Sequence, residues 1–127
     1  MAAPSDFTPR AILKLDCPFS LKFRIFVTEA GLTDRFRFEV VEDGTPAYDR
    51  AKETLEESDA EASFPGVETA PGKYMADSDT LIDHYAREFG IERDDLDLLA
   101  YYEEGVFEAM TSLFEENRKL KEEAEAA

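Results

Sequence analysis

Strand-like and helix-like segments alternate along residues 11–90, and this order limits the possible folds more than any other feature of the sequence. Apolar runs and period-two alternation predict strands at 11–16, 35–42, 67–69 and 73–76. Apolar residues at helical spacing predict helices that begin near Pro18, Pro46 and Ser78. Right-handed crossovers would fold the order β-α-β-α-β-β-α into an α/β sandwich, a four-stranded mixed sheet with helices on both faces.

Glycine and proline mark the limits of these segments. Gly31 and Gly90 are expected to end the first and third helices. Between the last two strands, residues 70–73 have proline and glycine where a type II turn requires them. The only histidine, His84, is expected at or near the surface. The aromatic residues expected in the core are Phe23, Phe26, Phe36 and Phe38.

A long acidic helix is predicted from Asp94 towards Glu123. Apolar residues recur there at intervals of seven, and three more widen the stripe: Leu99, Val106, Leu113 and Leu120, with Phe107, Met110 and Phe114. The companion positions Glu103 and Asn117 are too polar for a dedicated coiled coil. We therefore expect the helix to pack on its own chain and to offer an edge for a homodimer. The predicted organisation is a flexible N-terminus at 1–10, one domain at 11–91 and this helix at 92–127.

Composition argues against several classes of function. A net charge of −16, from 30 acidic and 14 basic residues, disfavours binding to nucleic acid or anionic membranes. No apolar run reaches the ~18 residues of a membrane span, and the first residues lack the features of a signal peptide. With one cysteine and one histidine, neither an internal disulfide nor a metal site is expected. A single thiol fits a reducing compartment, so we expect a cytoplasmic protein.

Cys17, the only cysteine, lies between the first predicted strand and the first predicted helix. Pro18 suits the first helical position, which puts Cys17 at or next to the N-cap, where free backbone N–H groups favour the nucleophilic thiolate. Ser20 stands where dithiol oxidoreductases keep a second cysteine, and it either donates a hydrogen bond to sulfur or is an ordinary first-turn residue. A site of this kind needs an external thiol to resolve a mixed disulfide. The alternative is a cysteine that only packs in the core.

Three motifs in this order resemble the thioredoxin-like amino-terminal domain of the glutathione S-transferase superfamily. They are Cys17-Pro18-Phe19-Ser20, Phe64-Pro65 and the segment 72–86, GKYMADSDTLIDHYA. The first is most similar to the cysteine-type branches, namely the omega class, the dehydroascorbate reductases and the intracellular chloride channel-like proteins. The resemblance extends over about residues 11–90. It implies a thioredoxin-like βαβαββα sandwich followed by one long helix.

The resemblance also implies a binding site for glutathione, as co-substrate, around Cys17. Pro65 would be the cis-proline that faces the cysteine, and the backbone of Phe64 would pair with the cysteinyl unit. The γ-glutamyl end would lie on Asp77 and Ser78, where the family has Glu-Ser. Lys52 would hold the glycyl carboxylate. Lys14 and Lys22 are weaker alternatives for that cation.

The function expected from these features is that of a glutathione-linked monothiol thiol–disulfide oxidoreductase acting through Cys17. Its partners would be glutathione, or another low-molecular-weight thiol, and a disulfide substrate. A family member of full length adds an all-helical domain that walls the second-substrate pocket, whereas this chain continues for one helix. A non-catalytic binding or scaffold module is therefore one alternative. A glutathione-conjugating transferase, with the wall supplied by a dimer partner, is another.

Overall fold

A four-stranded sheet with helices on both faces forms the body of the protein, in a computed structural model that describes residues 7–58 and 63–126. The predicted N-terminal segment lies outside the described residues over positions 1–6. The elements up to residue 90 are β1 (Arg10–Lys14), α1 (Pro18–Glu29), β2 (Arg37–Val41), α2 (Pro46–Glu57), β3 (Gly66–Ala70), β4 (Lys73–Ala76) and α3 (Ser78–Phe89). The strand order is β2-β1-β3-β4. β1 and β2 are parallel, whereas β3 is antiparallel to both of its neighbours. This is the predicted thioredoxin-like α/β sandwich.

The central strand β1 has apolar side chains on both of its faces, as expected for a strand covered on both sides. Ala11 and Leu13 belong to the larger cluster, which α1 and α3 complete with Phe23, Phe26, Leu81, Ile82 and Tyr85. Ile12 points the other way, into a smaller cluster with Val41, Ala51, Leu55 and Phe64. The predicted aromatic core is confirmed, with Phe38 only partly buried. His84 is partly exposed, as expected.

Gly66 lets α2 approach β3 closely. A Cβ atom at this position would lie 2.5 Å from Cδ2 of Leu55, a fully buried side chain. We expect Gly66→Ala to lower the free energy of unfolding by about 1–3 kcal/mol, because Leu55 must leave its packed position. Urea denaturation would measure this. Gly105→Ala is the matched control, since nothing lies within 4 Å of a Cβ there. An unchanged stability of Gly66→Ala would show that the α2–β3 contact adapts freely.

Tyr85 carries a buried hydroxyl that finds no hydrogen-bond partner among residues 7–58 and 63–126. Burial, and after it the charge of Glu88, raise its pKa well above the ordinary value. Since a buried unpaired hydroxyl is costly, we expect Tyr85→Phe to raise the free energy of unfolding by about 1 kcal/mol. Tyr102→Phe is the matched opposite, because the Tyr102 hydroxyl donates a 2.9 Å hydrogen bond to the Pro18 carbonyl. In thermal denaturation, the midpoint should rise for Tyr85→Phe and fall for Tyr102→Phe.

The C-terminal helix begins later than predicted, and a different set of its residues faces the core. It follows a 3-10 turn (Arg93–Asp95) and comprises α4 (Asp97–Tyr101), a π-helical turn (Tyr102–Val106) and α5 (Phe107–Ala126). The Glu29 carboxylate of α1 accepts the N–H groups of Leu98 and Leu99, both at 2.8 Å, and so caps the start of α4. The predicted start at Asp94 is therefore three residues early.

The π turn explains why the predicted heptad stripe is wrong. A π turn accommodates one more residue than an α turn, so the face that follows it is displaced by one position. Leu99 is buried, but the core-facing series then continues at Phe107, Met110 and Phe114. Ring contacts of Phe107 and Phe114 with Phe19, at 5.5 and 6.2 Å, hold the first half of α5 against α1. Val106, Leu113 and Leu120 are left on the exposed side.

Candidate functional site

Cys17 is the N-cap residue of α1, as the sequence predicts, with φ −109° and ψ 119°. The preceding Asp16 has φ 63°, in the left-handed region, and this turns the chain from the end of β1 into the helix. The thiol group is buried, and Cys17 as a whole is 7% exposed. Its Sγ lies 3.9 Å from the carbonyl oxygen of Phe64. The sulfur therefore faces the segment that leads into β3.

Phe64 and Pro65, the second predicted motif, form this facing wall. Their peptide bond is cis, as the resemblance implies. Both side chains are buried. The Phe64 ring contacts the ring of Tyr48 on α2, with centroids 5.5 Å apart, and the ammonium group of Lys52 lies 5.7 Å from the Tyr48 centroid. Lys52 is thus linked to the thiol region through two aromatic rings.

Ser20 is buried one turn along α1 from the thiol. Its Oγ accepts the backbone N–H of Lys14 at 3.0 Å, which ties the end of β1 to the first turn of the helix. Within the described residues, the hydroxyl makes no hydrogen bond to Cys17. The hydroxyl proton is still available as a donor, because accepting one bond does not use it. The observed contact is that of a structural first-turn residue.

Asp77 and Ser78 begin α3. Asp77 has φ 84° and ψ 112°, a backbone conformation that non-glycine residues rarely adopt. Its carboxylate accepts the N–H of Thr80 at 3.0 Å and the Thr80 hydroxyl at 2.7 Å, so Asp77 caps the helix. Ser78 is buried in the first turn. The first N–H groups of a helix are natural donors to an anion.

A cluster of charged residues joins α1, α3 and the π turn close to these two helix starts. Lys22 has a side chain only 5% exposed, and its ammonium group pairs with Asp79 and, at 3.1 Å, with Glu103. Arg93 pairs with the same Glu103 at 2.7 Å and with Asp83 at 3.1 Å. Burial opposes the ionisation of Asp79, but the hydrogen bond and charge of Lys22, helped by Arg93, outweigh it and lower its pKa. We call Lys22, Asp79, Asp83, Arg93 and Glu103 the ion cluster.

Tyr102, on the π turn, covers the start of α1. The side chain is buried, and its hydroxyl donates to the carbonyl of Pro18, the residue after the cysteine. Burial is the larger cause of the raised pKa of Tyr102, and the charge of Cys17 is the second. The ring also contacts Phe107, with centroids 5.4 Å apart. The C-terminal helix thus contributes a residue to the surroundings of the thiol.

The three lysines considered for the glycyl carboxylate differ in their contacts. The Lys22 ammonium is held by the ion cluster and lies 4.6 Å from the centroid of Phe107. Lys14 lies over the Phe114 ring at 5.9 Å, and Lys52 lies over Tyr48. Neither Lys14 nor Lys52 forms an ion pair with a carboxylate in residues 7–58 or 63–126. These two cations are therefore the ones still available to a ligand.

Tyr102 and the ion cluster were not identified from the sequence. Lys22 could be expected near Cys17, but its partners are 57 and 81 positions away along the chain. The one available signal was the polar and aromatic run Tyr101-Tyr102-Glu103-Glu104, which interrupts the apolar stripe of the last helix. Among the described residues, no group of three or more histidine, cysteine, aspartate or glutamate side chains is arranged to hold a metal ion. In the same part of the chain, no helix is both long and apolar enough to cross a membrane.

Comparisons with known proteins give one similarity. No protein-family model and no curated protein matches the chain. Among solved structures, the chain is similar to a possible glutathione S-transferase from Rhodopseudomonas palustris, with 23% sequence identity and a TM-score of 0.40. The similarity covers 62% of this chain and 36% of that one. The chain thus spans little more than a third of the length of the protein it matches.

Proposed function

We propose that this protein is a glutathione-linked monothiol thiol–disulfide oxidoreductase whose nucleophile is Cys17. The observation that carries the proposal is the position of its sulfur, at the N-terminus of α1 and 3.9 Å from the Phe64 carbonyl. Backbone N–H groups at a helix start stabilise a thiolate, and the thiolate is the attacking form in disulfide exchange. No second cysteine exists to close an internal disulfide.

The proposed reaction has two exchange steps. The Cys17 thiolate attacks the glutathionyl sulfur of a mixed disulfide, forms a Cys17–glutathione disulfide, and releases the substrate thiolate, which takes a proton from solvent. A glutathione thiolate then attacks the glutathionyl sulfur on Cys17, giving oxidised glutathione and the free Cys17 thiolate. One glutathione thiol is consumed per turnover: the disulfide between substrate and glutathione is exchanged for the disulfide of oxidised glutathione, and the proton released by the attacking glutathione thiol balances the one taken up by the substrate thiolate, so no other oxidant or reductant is required.

Three groups of residues would hold glutathione in this scheme. The backbone of Phe64, next to Pro65, is close enough to Sγ to align the cysteinyl unit. The start of α3 would take the γ-glutamyl end, with its carboxylate on Ser78 and its ammonium group near Asp77. Lys52 would attract the glycyl carboxylate, and its lack of an ion-pair partner among the described residues supports that role.

Intact mass spectrometry tests this proposal. The reduced protein is exposed to oxidised glutathione at neutral pH, and reduced glutathione is then added. We expect one glutathione adduct that forms on the folded protein, is removed by reduced glutathione, and is absent from Cys17→Ser. A thiol that reacts only after denaturation would refute the proposal.

The burial of Cys17 and its cover by Tyr102 favour one rival, a non-catalytic binding or scaffold module. In such a module Cys17 would be a core residue, and the fold would serve only to present its surface to a partner. This rival predicts no glutathione affinity. Isothermal titration of the Cys17→Ser variant with reduced glutathione separates the two, because the binding residues remain while the chemistry is removed.

A further inference from the structure

The Cys17 thiol is covered by neighbouring residues, although disulfide exchange needs an open path to its sulfur. The Phe64 carbonyl oxygen lies 3.9 Å from Sγ, and Tyr102 is bonded to the first turn of the helix that Cys17 caps. Cys17, Phe64 and Tyr102 are 7%, 8% and 5% exposed. Exchange requires a disulfide sulfur to come within about 3–3.5 Å of Sγ. One of the covering elements must therefore move before the thiol can react.

Phe64 belongs to the fixed part of the fold. It leads into β3, which pairs with the central strand β1 at Gly66 and Val67. Its side chain packs in the smaller apolar cluster with Ile12 and Leu55. Core strands open only at a free energy close to that of global unfolding. The wall formed by Phe64 therefore stays in place when the thiol is uncovered.

The C-terminal helix, by contrast, is held firmly only at its start. Leu96 and Leu99 are 5% and 1% exposed and anchor α4 in the larger apolar cluster. After Leu99, Tyr102 is the only buried residue in the part of the chain that the structure describes. Segments with few buried apolar contacts open locally at low free energy, and π turns are frequent at functional sites. The π turn and α5 are therefore the element that can move.

Two polar contacts keep the π turn closed on α1. The Tyr102 hydroxyl donates to the Pro18 carbonyl at 2.9 Å, and the Glu103 carboxylate pairs with Arg93 at 2.7 Å and with Lys22 at 3.1 Å. Lys22 belongs to α1, so its ion pair ties the π turn directly to the helix that begins at the thiol. Hydrogen bonds between ionised groups are about twice as strong as neutral ones. The carboxylate next to Tyr102 therefore holds its ring in place.

We propose that Tyr102 and Glu103 form an autoinhibitory cover over Cys17, which opens at the π turn when Glu103 leaves the two cations of the ion cluster. The inference rests on the proposed function, because only a reacting thiol needs to be uncovered. The charge of Cys17 contributes to the raised pKa of Tyr102, which agrees with a phenol close to the sulfur. While α4 stays anchored, the rate at which a reagent modifies Cys17 is proportional to the open fraction.

Alkylation of the reduced full chain by iodoacetamide, a small neutral reagent, tests the cover when it is followed by intact mass. Glu103→Gln should react about tenfold faster than the wild type, a change that corresponds to about 1.4 kcal/mol in the opening equilibrium. Tyr102→Phe should also react faster, because it keeps the ring but loses the hydrogen bond to Pro18. Glu104→Gln is the matched control. It makes the same charge change at the next residue, which is exposed and outside the ion cluster, and it should react like the wild type.

A second comparison separates opening of the cover from general unfolding. Glu39 binds Arg10 through two contacts of 2.7 Å between β2 and β1, so Glu39→Gln breaks an ion pair of the sheet instead. This variant should lose stability without faster alkylation. Amide hydrogen exchange in Glu103→Gln should be faster at residues 102–114 and unchanged in β1. If Glu39→Gln accelerates alkylation as much as Glu103→Gln does, the thiol is exposed by unfolding and the cover is wrong.

The alkylation rates also separate this inference from the proposed function. A Glu103→Gln variant that reacts at the wild-type rate would overturn the cover. If both proteins react rapidly while folded, the thiol is open and the oxidoreductase proposal stands without a cover. If neither reacts before denaturation, Cys17 is a core residue and both proposals are refuted.

Discussion

Replacing Cys17 by serine should reduce glutathione-dependent turnover of a glutathionylated peptide at least about 1,000-fold, because a serine hydroxyl is not ionised at neutral pH and cannot form the disulfide intermediate. The measurement is the rate of peptide thiol release in the presence of reduced glutathione. The folded protein should be unaffected, since serine is smaller and the N-cap position accepts it.

The Ser20→Ala variant is the control for this result. Ser20 accepts the N–H of Lys14, so its loss should lower the free energy of unfolding by about 1 kcal/mol while turnover is kept. Turnover that persists in Cys17→Ser would end the oxidoreductase proposal. Turnover lost in a folded Ser20→Ala would instead assign the serine hydroxyl a role at the sulfur.

Replacing Lys22 by methionine should destabilise the protein by about 2 kcal/mol, because the charged hydrogen bonds of the ion cluster are lost while the apolar stem is kept. Glu103 loses one of its two cations, so the π turn should also be held less firmly against α1. We therefore expect faster alkylation of Cys17 in this variant. Lys73→Met, on the exposed edge of β4, should change stability by less than about 0.5 kcal/mol. Equal stabilities for the two variants would mean that the cluster contributes nothing.

Lowering the pH should also remove part of the stability that the ion cluster contributes. The pKa of Asp79 is lower in the folded chain than in the unfolded one, so the unfolded state binds more protons as the pH falls. Stability from Asp79 is thus complete above the unfolded value of about 3.9 and is lost as the pH drops through the folded value. The thermal midpoint should decrease below about pH 4 more steeply in the wild type than in Asp79→Asn. Glu53→Gln, exposed on α2, should follow the wild type.

The fold could be predicted from the sequence because its signals are local. Each of these signals extends over only a few residues: period-two alternation marks the strands, and helical spacing marks the helices. Element and turn boundaries are marked by Pro18, Gly72 and Gly90, and the structure follows these signals closely. The N-cap position of Cys17 was predictable for the same reason. Its contact with Phe64 was inferred only through the resemblance, since 47 positions separate the two residues.

Long-range contacts account for what the sequence did not reveal. Nothing in the sequence around Lys22 distinguishes it from a surface lysine. Its charge can be buried because two carboxylates from distant segments, Asp79 and Glu103, form ion pairs with it. Tyr102 belongs to a turn whose π geometry has no simple residue pattern. A strict seven-residue count through that turn assigns Val106 and Leu113 to the wrong side of the helix.

The π turn has a consequence for how the length of this chain can vary. The core-facing series Leu99, Tyr102, Phe107, Met110 and Phe114, of which the first two are buried and the others partly buried, contains one residue more than an uninterrupted α-helix would need. A relative that lacks one residue between Tyr102 and Val106 would present the same side chains to α1 through a continuous helix. Elsewhere in the helix, a deletion of one residue would rotate everything after it by about 100°. Single-residue gaps among homologues should therefore concentrate at this turn.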